Sequence, residues 1–226
     1  MDKLIDLKNI KKFYKQDNYN INVLNNINLE VSTGDIISIV GPSGSGKTTL
    51  LNIIGTLDNF TSGDYFFEKT NIINLSNNKK NFFRNKNIGF IHQFHYLINE
   101  LSTLENVALP LLISGKSYKE SIIHSESLLI KFGLKERINF KTKFLSGGEQ
   151  QRVSIARSMI NNPKLIIADE MTGNLDEKNS NEIFEFFINK IKNNKQTVIY
   201  VTHNIKFANM ARVKYKLEKG SLNRYN

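Results

Sequence analysis

A short apolar run, Ile36-Ile37-Ser38-Ile39-Val40, leads without a break into Gly41-Pro42-Ser43-Gly44-Ser45-Gly46-Lys47-Thr48, and apolar residues then recur at Leu50, Leu51, Ile54 and Leu57. The run reads as a buried strand and the recurrence as one face of a helix. A strand that enters a helix through a Gly-rich turn is the setting in which such a string cradles phosphate, because bare N–H groups and the helix dipole both favour an anion. The N–H groups of residues 43–48 are expected to wrap the α- and β-phosphates. Lys47 reaches the β- and γ-phosphates, and the Thr48 hydroxyl ligates Mg²⁺.

A second anion device lies about a hundred residues later, in Leu145-Ser146-Gly147-Gly148-Glu149-Gln150-Gln151-Arg152. Ser-Gly-Gly opening a helix again presents backbone N–H groups at a positive helix end. One nucleotide does not need two such devices on one side. The economical reading is that the second caps the γ-phosphate of an ATP held by a partner copy, so that two complete sites require two chains.

Around these anchors the chain alternates strands and helices. Ile27, Leu29 and Val31 alternate as in a half-buried strand, and 32–35 turns the chain. Residues 60–91 read as short strands and turns ending in Ile88-Gly89-Phe90-Ile91. From about 98 to 162 the spacing is helical, through Leu104, Val107 and Leu111, then Ile122 to Phe132, then a helix opening at Ser146 and stopping before Pro163. A buried strand at 165–168, a helix carrying Ile183, Phe184, Phe187, Ile188 and Ile191, a strand at 197–202 and a short tail after Gly220 complete the α/β pattern.

Composition excludes several classes. The 226 residues contain no cysteine, so neither a disulfide framework nor a thiolate metal site is available. The first eight residues lack the apolar run of a secretion signal, and runs such as 107–113 are too short to span a bilayer. The net charge of +10 accompanies Lys and Asn scattered throughout, which reads as a coding bias, and no nucleic-acid partner is expected.

Further residues carry chemistry by position. Asp169-Glu170 closes the apolar strand at 165–168, where Asp169 can reach a Mg²⁺ shell and Glu170 can serve as general base toward an attacking water. His203 directly follows the strand at 197–202 and can hydrogen-bond a γ-phosphate. Gln93, just past the strand ending at Ile91, can offer its carbonyl to Mg²⁺ or water. Tyr14 or Phe13 can stack on adenine.

The order of these motifs resembles, over nearly the whole chain, the nucleotide-binding subunits of ATP-binding cassette (ABC) transporters. The resemblance implies a P-loop NTPase of the ABC ATPase type: a RecA-like parallel-sheet core, an N-terminal antiparallel β subdomain and a helical subdomain inserted at about 94–162, all within one ATP-binding domain spanning 1–226. It implies Tyr14 as the adenine platform, Gly41 to Thr49 as the Walker A loop, Gln93 as the Q-loop residue and Leu145, Ser146, Gly147, Gly148 and Glu149 as the signature. Asp169 and Glu170 become the Walker B pair, Asn174-Leu175-Asp176 the D-loop and His203 the switch.

Within the family, Gly173-Asn174-Leu175-Asp176, Thr103-Leu104-Glu105-Asn106-Val107, Gln93-Phe94-His95-Tyr96-Leu97 and Leu109-Pro110-Leu111-Leu112-Ile113 are similar to the branch serving lipoprotein release, macrolide or peptide efflux and cell division, and nearest to lipoprotein release. This implies a peripheral subunit on the cytoplasmic face of the inner membrane, paired with a second copy of itself and with two integral membrane permease subunits. Its ATP hydrolysis, with Mg²⁺, would move lipoproteins from the inner toward the outer membrane. One departure stands out: Met171 follows the catalytic Glu where the family usually has Pro.

Overall fold

The computed structural model describes residues 2–16 and 19–225. The chain divides into two compact units, Met1–Asn81 with Gln196–Asn226, and Phe82–Lys195. The second is wider than the run of helices at 94–162, because it also takes in two strands and a long helix.

In the first unit, β1 (Lys3–Gln16) and β2 (Tyr19–Ser32) form a long antiparallel pair, extended by β4 (Ser62–Phe67) and the short β5 (Thr70–Asn71) in the order β2-β1-β4-β5. This is the antiparallel subdomain expected at the N-terminus. Its buried face is built by Leu4, Ile5, Leu7 and Ile10 against Leu24, Ile27, Leu29 and Val31. Tyr65 is buried with them, its hydroxyl donating to the Ile54 carbonyl at 2.7 Å; burial drives that phenol far above its ordinary pKa.

The same unit holds β3 (Ile36–Val40), which runs parallel to both β8 (Thr197–Val201) and β9 (Val213–Glu218); β10 (Ser221–Tyr225) pairs antiparallel with β9. The tail after Gly220 is thus a strand. Helix α1 (Lys47–Ile54) follows the Gly-rich loop, and the short α7 (Ile205–Ala208) follows β8.

Helix α2 (Asn77–Asn87) lies where turns were expected. Its sequence, NNKKNFFRNKN, has no apolar period and is rich in Asn, a weak helix former, so neither pattern nor propensity announces it.

In the second unit β6 (Ile88–Ile91) and β7 (Leu165–Asp169) pair in parallel. Around them come α3 (Thr103–Ile113), α4 (Tyr118–Lys131), α5 (Gly147–Met159) and α6 (Glu177–Asn194). α6 buries the face Ile183, Phe184, Phe187, Ile188 and Ile191. The Thr103–Val107 stretch has a structural role: Asn106 is wholly buried, donating to the Ile98 and Ser102 carbonyls at 3.0 Å each and accepting the Ile98 N–H at 2.8 Å. It thereby satisfies a loop that would otherwise bury orphan backbone groups.

β6 approaches α5 so closely that a Cβ on Gly89 would lie 2.2 Å from the Ser158 carbonyl oxygen and 3.2 Å from Pro163. Gly89→Ala is therefore expected to destabilise by roughly 1–3 kcal/mol through overpacking. A urea denaturation midpoint equal to that of the parent would show that the contact is not tight.

Candidate functional site

Parallel pairing delivers the chemistry of each unit to one strand edge. In the first unit Ile39 pairs with Val201, and the Thr202 N–H reaches the Ile39 carbonyl at 3.4 Å. The Gly-rich loop after β3 and His203 after β8 consequently leave neighbouring strands at the same end. His203 is exposed there.

The loop is held by its own atoms. Gly46 caps α1 in a left-handed conformation (φ 97°), and a Cβ there would press on Val23 at 2.9 Å, so glycine is required. Ser45 N–H bonds the Pro42 carbonyl at 3.3 Å. The buried Lys47 ammonium donates to the Gly41 and Pro42 carbonyls at 2.9 and 2.8 Å. The backbone at Gly44 faces open space, since a Cβ there meets nothing within 4 Å, and Ser43, Gly44 and Thr48 are exposed. A cation beside an accessible turn of N–H groups at a helix start fits a polyphosphate.

Tyr14, near the end of β1, is partly exposed and donates its hydroxyl to Asp58 Oδ2 at 2.8 Å. Of the two aromatic candidates it is the one whose side chain is fixed from outside the strand; Phe13 is tied through its backbone N–H to Thr61 Oγ1 at 3.2 Å.

In the second unit Ile91 pairs with Ala168, so Gln93 and the Asp169-Glu170 pair emerge from the same edge of β6 and β7. Glu170 has a left-handed backbone (φ 45°), costly for a non-glycine residue, and its carbonyl accepts the Gly173 N–H at 2.9 Å in a tight turn. Met171 is buried, so the position usually held by Pro is anchored by apolar packing.

The absence of a side chain at Gly173 lets the Gln93 amide lie against this turn: a Cβ would be 3.0 Å from its Nε2. Asn174 Nδ2 donates to the Gln93 carbonyl at 3.0 Å. Asp176 caps α6, accepting the Asn179 N–H at 3.0 Å, and that hydrogen bond holds its carboxyl below the ordinary value. Ser180 pins the intervening loop through the Thr172 and Leu175 carbonyls.

The signature string opens α5 as a capping box. Ser146 Oγ accepts the Glu149 N–H at 3.3 Å, and Glu149 Oε2 accepts the Ser146 N–H at 2.8 Å. Leu145 is buried beneath it, while Ser146 and Gly147 are exposed. Gly147 must lack a side chain because Leu175 of the D-loop lies 3.1 Å from where its Cβ would be. Signature and D-loop are thus one packed surface within this unit.

Two residues not singled out by motif hold these pieces. Arg137 Nε donates to Glu149 Oε1 at 2.8 Å. Arg157, three turns along α5, donates to the His95 and Tyr96 carbonyls at 2.7 and 2.8 Å and so fastens the segment after Gln93 to the signature helix. Burial, with the Arg157 charge adding to it, holds His92 and His95 below the usual histidine range. The (i, i+8) distance from Glu149 to Arg157 offered the only sequence hint, that both sit on the helix opened by Ser146.

A cation beside an open Gly-rich loop at a strand–helix junction, an acidic pair closing a parallel strand and a Ser-Gly-Gly helix start fit an ABC-type P-loop ATPase. The chain belongs to the ABC transporter family, whose profile matches residues 24–173. It is 46% identical to the lipoprotein-releasing system ATP-binding protein LolD of Wigglesworthia glossinidia brevipalpis, over 99% of this chain and 97% of that one. It is 44% identical to LolD of Rickettsia bellii, over 98% of each chain. Among solved structures, the ATP-binding cassette MJ0796, a dimer in a post-hydrolysis state bound to ADP and Pi, superposes with a TM-score of 0.89 at 37% identity, covering 98% of both chains.

The capping box yields a pH-dependent expectation. Burial pushes the Glu149 carboxyl up, but hydrogen bonds from Ser146 and Arg137 outweigh it and leave the group below its ordinary 4.5. Its contribution is therefore complete above that value and is lost as the pH falls through the lower folded-state value. Glu149→Ala is expected to cost about 1 kcal/mol near neutrality, converging on the parent in acid. A gap that persists unchanged at acid pH would contradict the cap.

Proposed function

We propose that the chain is the ATP-hydrolysing subunit of an inner-membrane complex that releases lipoproteins for transfer to the outer membrane. The observation that carries this reading is the joint presence of both half-sites in a chain at least 44% identical to two LolD proteins over nearly its full length. All 226 residues act as one ATP-binding domain, with the helices at 94–162 as its insert. Among the described residues no helix is long and apolar enough to cross a membrane, which suits a peripheral subunit carried by two integral membrane permeases.

In this reading Gly41 to Thr49 and Lys47 bind the phosphates and Tyr14 takes the adenine. Thr48, Gln93 and Asp169 supply the hard oxygen donors that Mg²⁺ takes alongside substrate phosphates; when bound, the ion neutralises phosphate charge. Glu170 accepts a proton from the water whose oxygen bonds the γ-phosphorus as the β–γ bridge breaks and ADP leaves. His203 orients that water. Residues 145–149 meet the γ-phosphate held by a second copy, so hydrolysis belongs to the dimer.

Glu170→Gln removes the base and leaves Lys47 and Asp169 in place. ATP binding is expected to survive, turnover to fall at least 100-fold, and the ATP-bound dimer to persist longer on size-exclusion chromatography. Turnover at the parental rate would remove Glu170 from the role of base.

Coupling falls to the segment from Gln93 to Ile113. Phe94 and Tyr96 are exposed and Leu97 half-buried, an apolar display that Arg157 holds rigid from α5. This segment receives a cytoplasmic element of each permease. Phe94→Glu is expected to abolish co-purification with the permeases and lipoprotein release from spheroplasts, while the isolated subunit still binds ATP. Normal assembly and release would exclude the segment as the docking surface.

A further inference from the structure

Lys12, Tyr14 and Asp58 form a closed cluster that no motif describes. Lys12 Nζ donates to Asp58 Oδ1 at 2.9 Å and to the Asn59 carbonyl at 2.6 Å, and it lies 4.6 Å from the centre of the Tyr14 ring. Tyr14 donates its hydroxyl to the other carboxylate oxygen, Oδ2, at 2.8 Å. The Lys12 side chain is only 11% exposed, so the pair is largely shielded from water on the lysine side. Burial raises the Asp58 carboxyl, but the hydrogen bonds from Lys12, Tyr14 and the Asn59 N–H outweigh it and hold its pKa below the ordinary value.

Asp58 is itself fixed to the helix that leaves the phosphate loop. The N–H groups of Leu57 and Asp58 both bond the Asn52 carbonyl of α1, at 2.8 and 3.2 Å, and the Thr61 N–H returns to the Lys11 carbonyl at 2.8 Å. A continuous chain of short links therefore runs from Gly46 through α1 to Asp58, and from Asp58 to the Tyr14 ring. One face of that ring carries the Lys12 ammonium. Tyr14 as a whole remains 42% exposed.

We propose that Asp58 and Lys12 are positioning residues that lock Tyr14 as a one-faced platform for the nucleobase, at a set distance from the phosphate loop. The proposal rests on the reading that Tyr14 stacks on the base. Asp58 holds the ring edge so that it does not swing away, and Lys12 occupies the face that the base does not use. Nucleotide binding then loses less conformational freedom in the platform than it would with a free tyrosine. The cluster acts on the base alone, because its atoms reach the phosphates only through α1.

The test compares ATP with inorganic tripolyphosphate, which has no base, by calorimetric titration of the full chain with Mg²⁺. Tyr14→Ala is expected to weaken ATP binding roughly 10-fold, the range of a lost base–aromatic stack, and to leave tripolyphosphate unchanged. Asp58→Ala is expected to weaken ATP roughly 5-fold, again with no change for tripolyphosphate, and to add nothing further in a Tyr14→Ala background. Tyr14→Phe, which removes only the hydroxyl, reproduces the Asp58→Ala loss without touching the loop, so the inference stands or falls even where Asp58→Ala does not fold. Equal losses for ATP and tripolyphosphate, or additive losses in the double variant, would overturn it in favour of a general role in the loop after α1. An unchanged ATP affinity in Tyr14→Ala would instead remove the stacking reading on which it rests.

Discussion

The backbone ladder of a parallel strand pair imposes one condition from which the arrangement of this protein follows: the C-terminal ends of the two strands must come out side by side. In one unit that condition brings the Gly-rich loop after β3 beside His203 after β8. In the other it brings Gln93 after β6 beside Asp169 and Glu170 after β7. The loops at such ends hold polar groups that the strands, buried on both faces, have no room for. Every residue assigned to hydrolysis within a single chain lies at one of these two edges.

The edges would be imprecise if the loops were free, and each is fastened by hydrogen bonds that use carbonyls rather than charges. Lys47 closes on Gly41 and Pro42, Arg157 on His95 and Tyr96, Asn174 on Gln93, and Ser180 on Thr172 and Leu175. Cations and amides bound to backbone carbonyls fix the path of a loop without neutralising the cation. Glu170 and Tyr96, both with left-handed backbones, each lie inside such a fastened segment. Met171, directly after Glu170, is buried.

The signature helix joins the two themes. Its exposed N-terminus is completed by Ser146 and Glu149, steadied by Arg137 and packed on Leu175, and its C-terminal half holds the segment after Gln93. Static contacts thus join the segment after Gln93, the start of the signature helix and Leu175 within one unit.

Much of this was legible in the chain itself, because it is written in local pattern. Glycines at fixed offsets between a strand and a helix, Ser-Gly-Gly at a helix start, and two acids closing an apolar run depend only on neighbours in sequence. They point to the phosphate loop, the helix start at Ser146 and the strand ends, whereas the antiparallel subdomain comes only from the family resemblance and the capping box only from the structure. What tertiary structure alone decided has the opposite character. Lys12 and Asp58 are 46 residues apart, Arg157 and His95 are 62 apart, and Asn174 and Gln93 are 81 apart. Their pairing depends on how loops close in space, which leaves no period or spacing behind. Helix α2 escaped because it has no apolar stripe to reveal it. The candidate residues for the chemistry are named by local pattern, whereas those that hold them in place are not, because holding is a relation between distant parts of the chain.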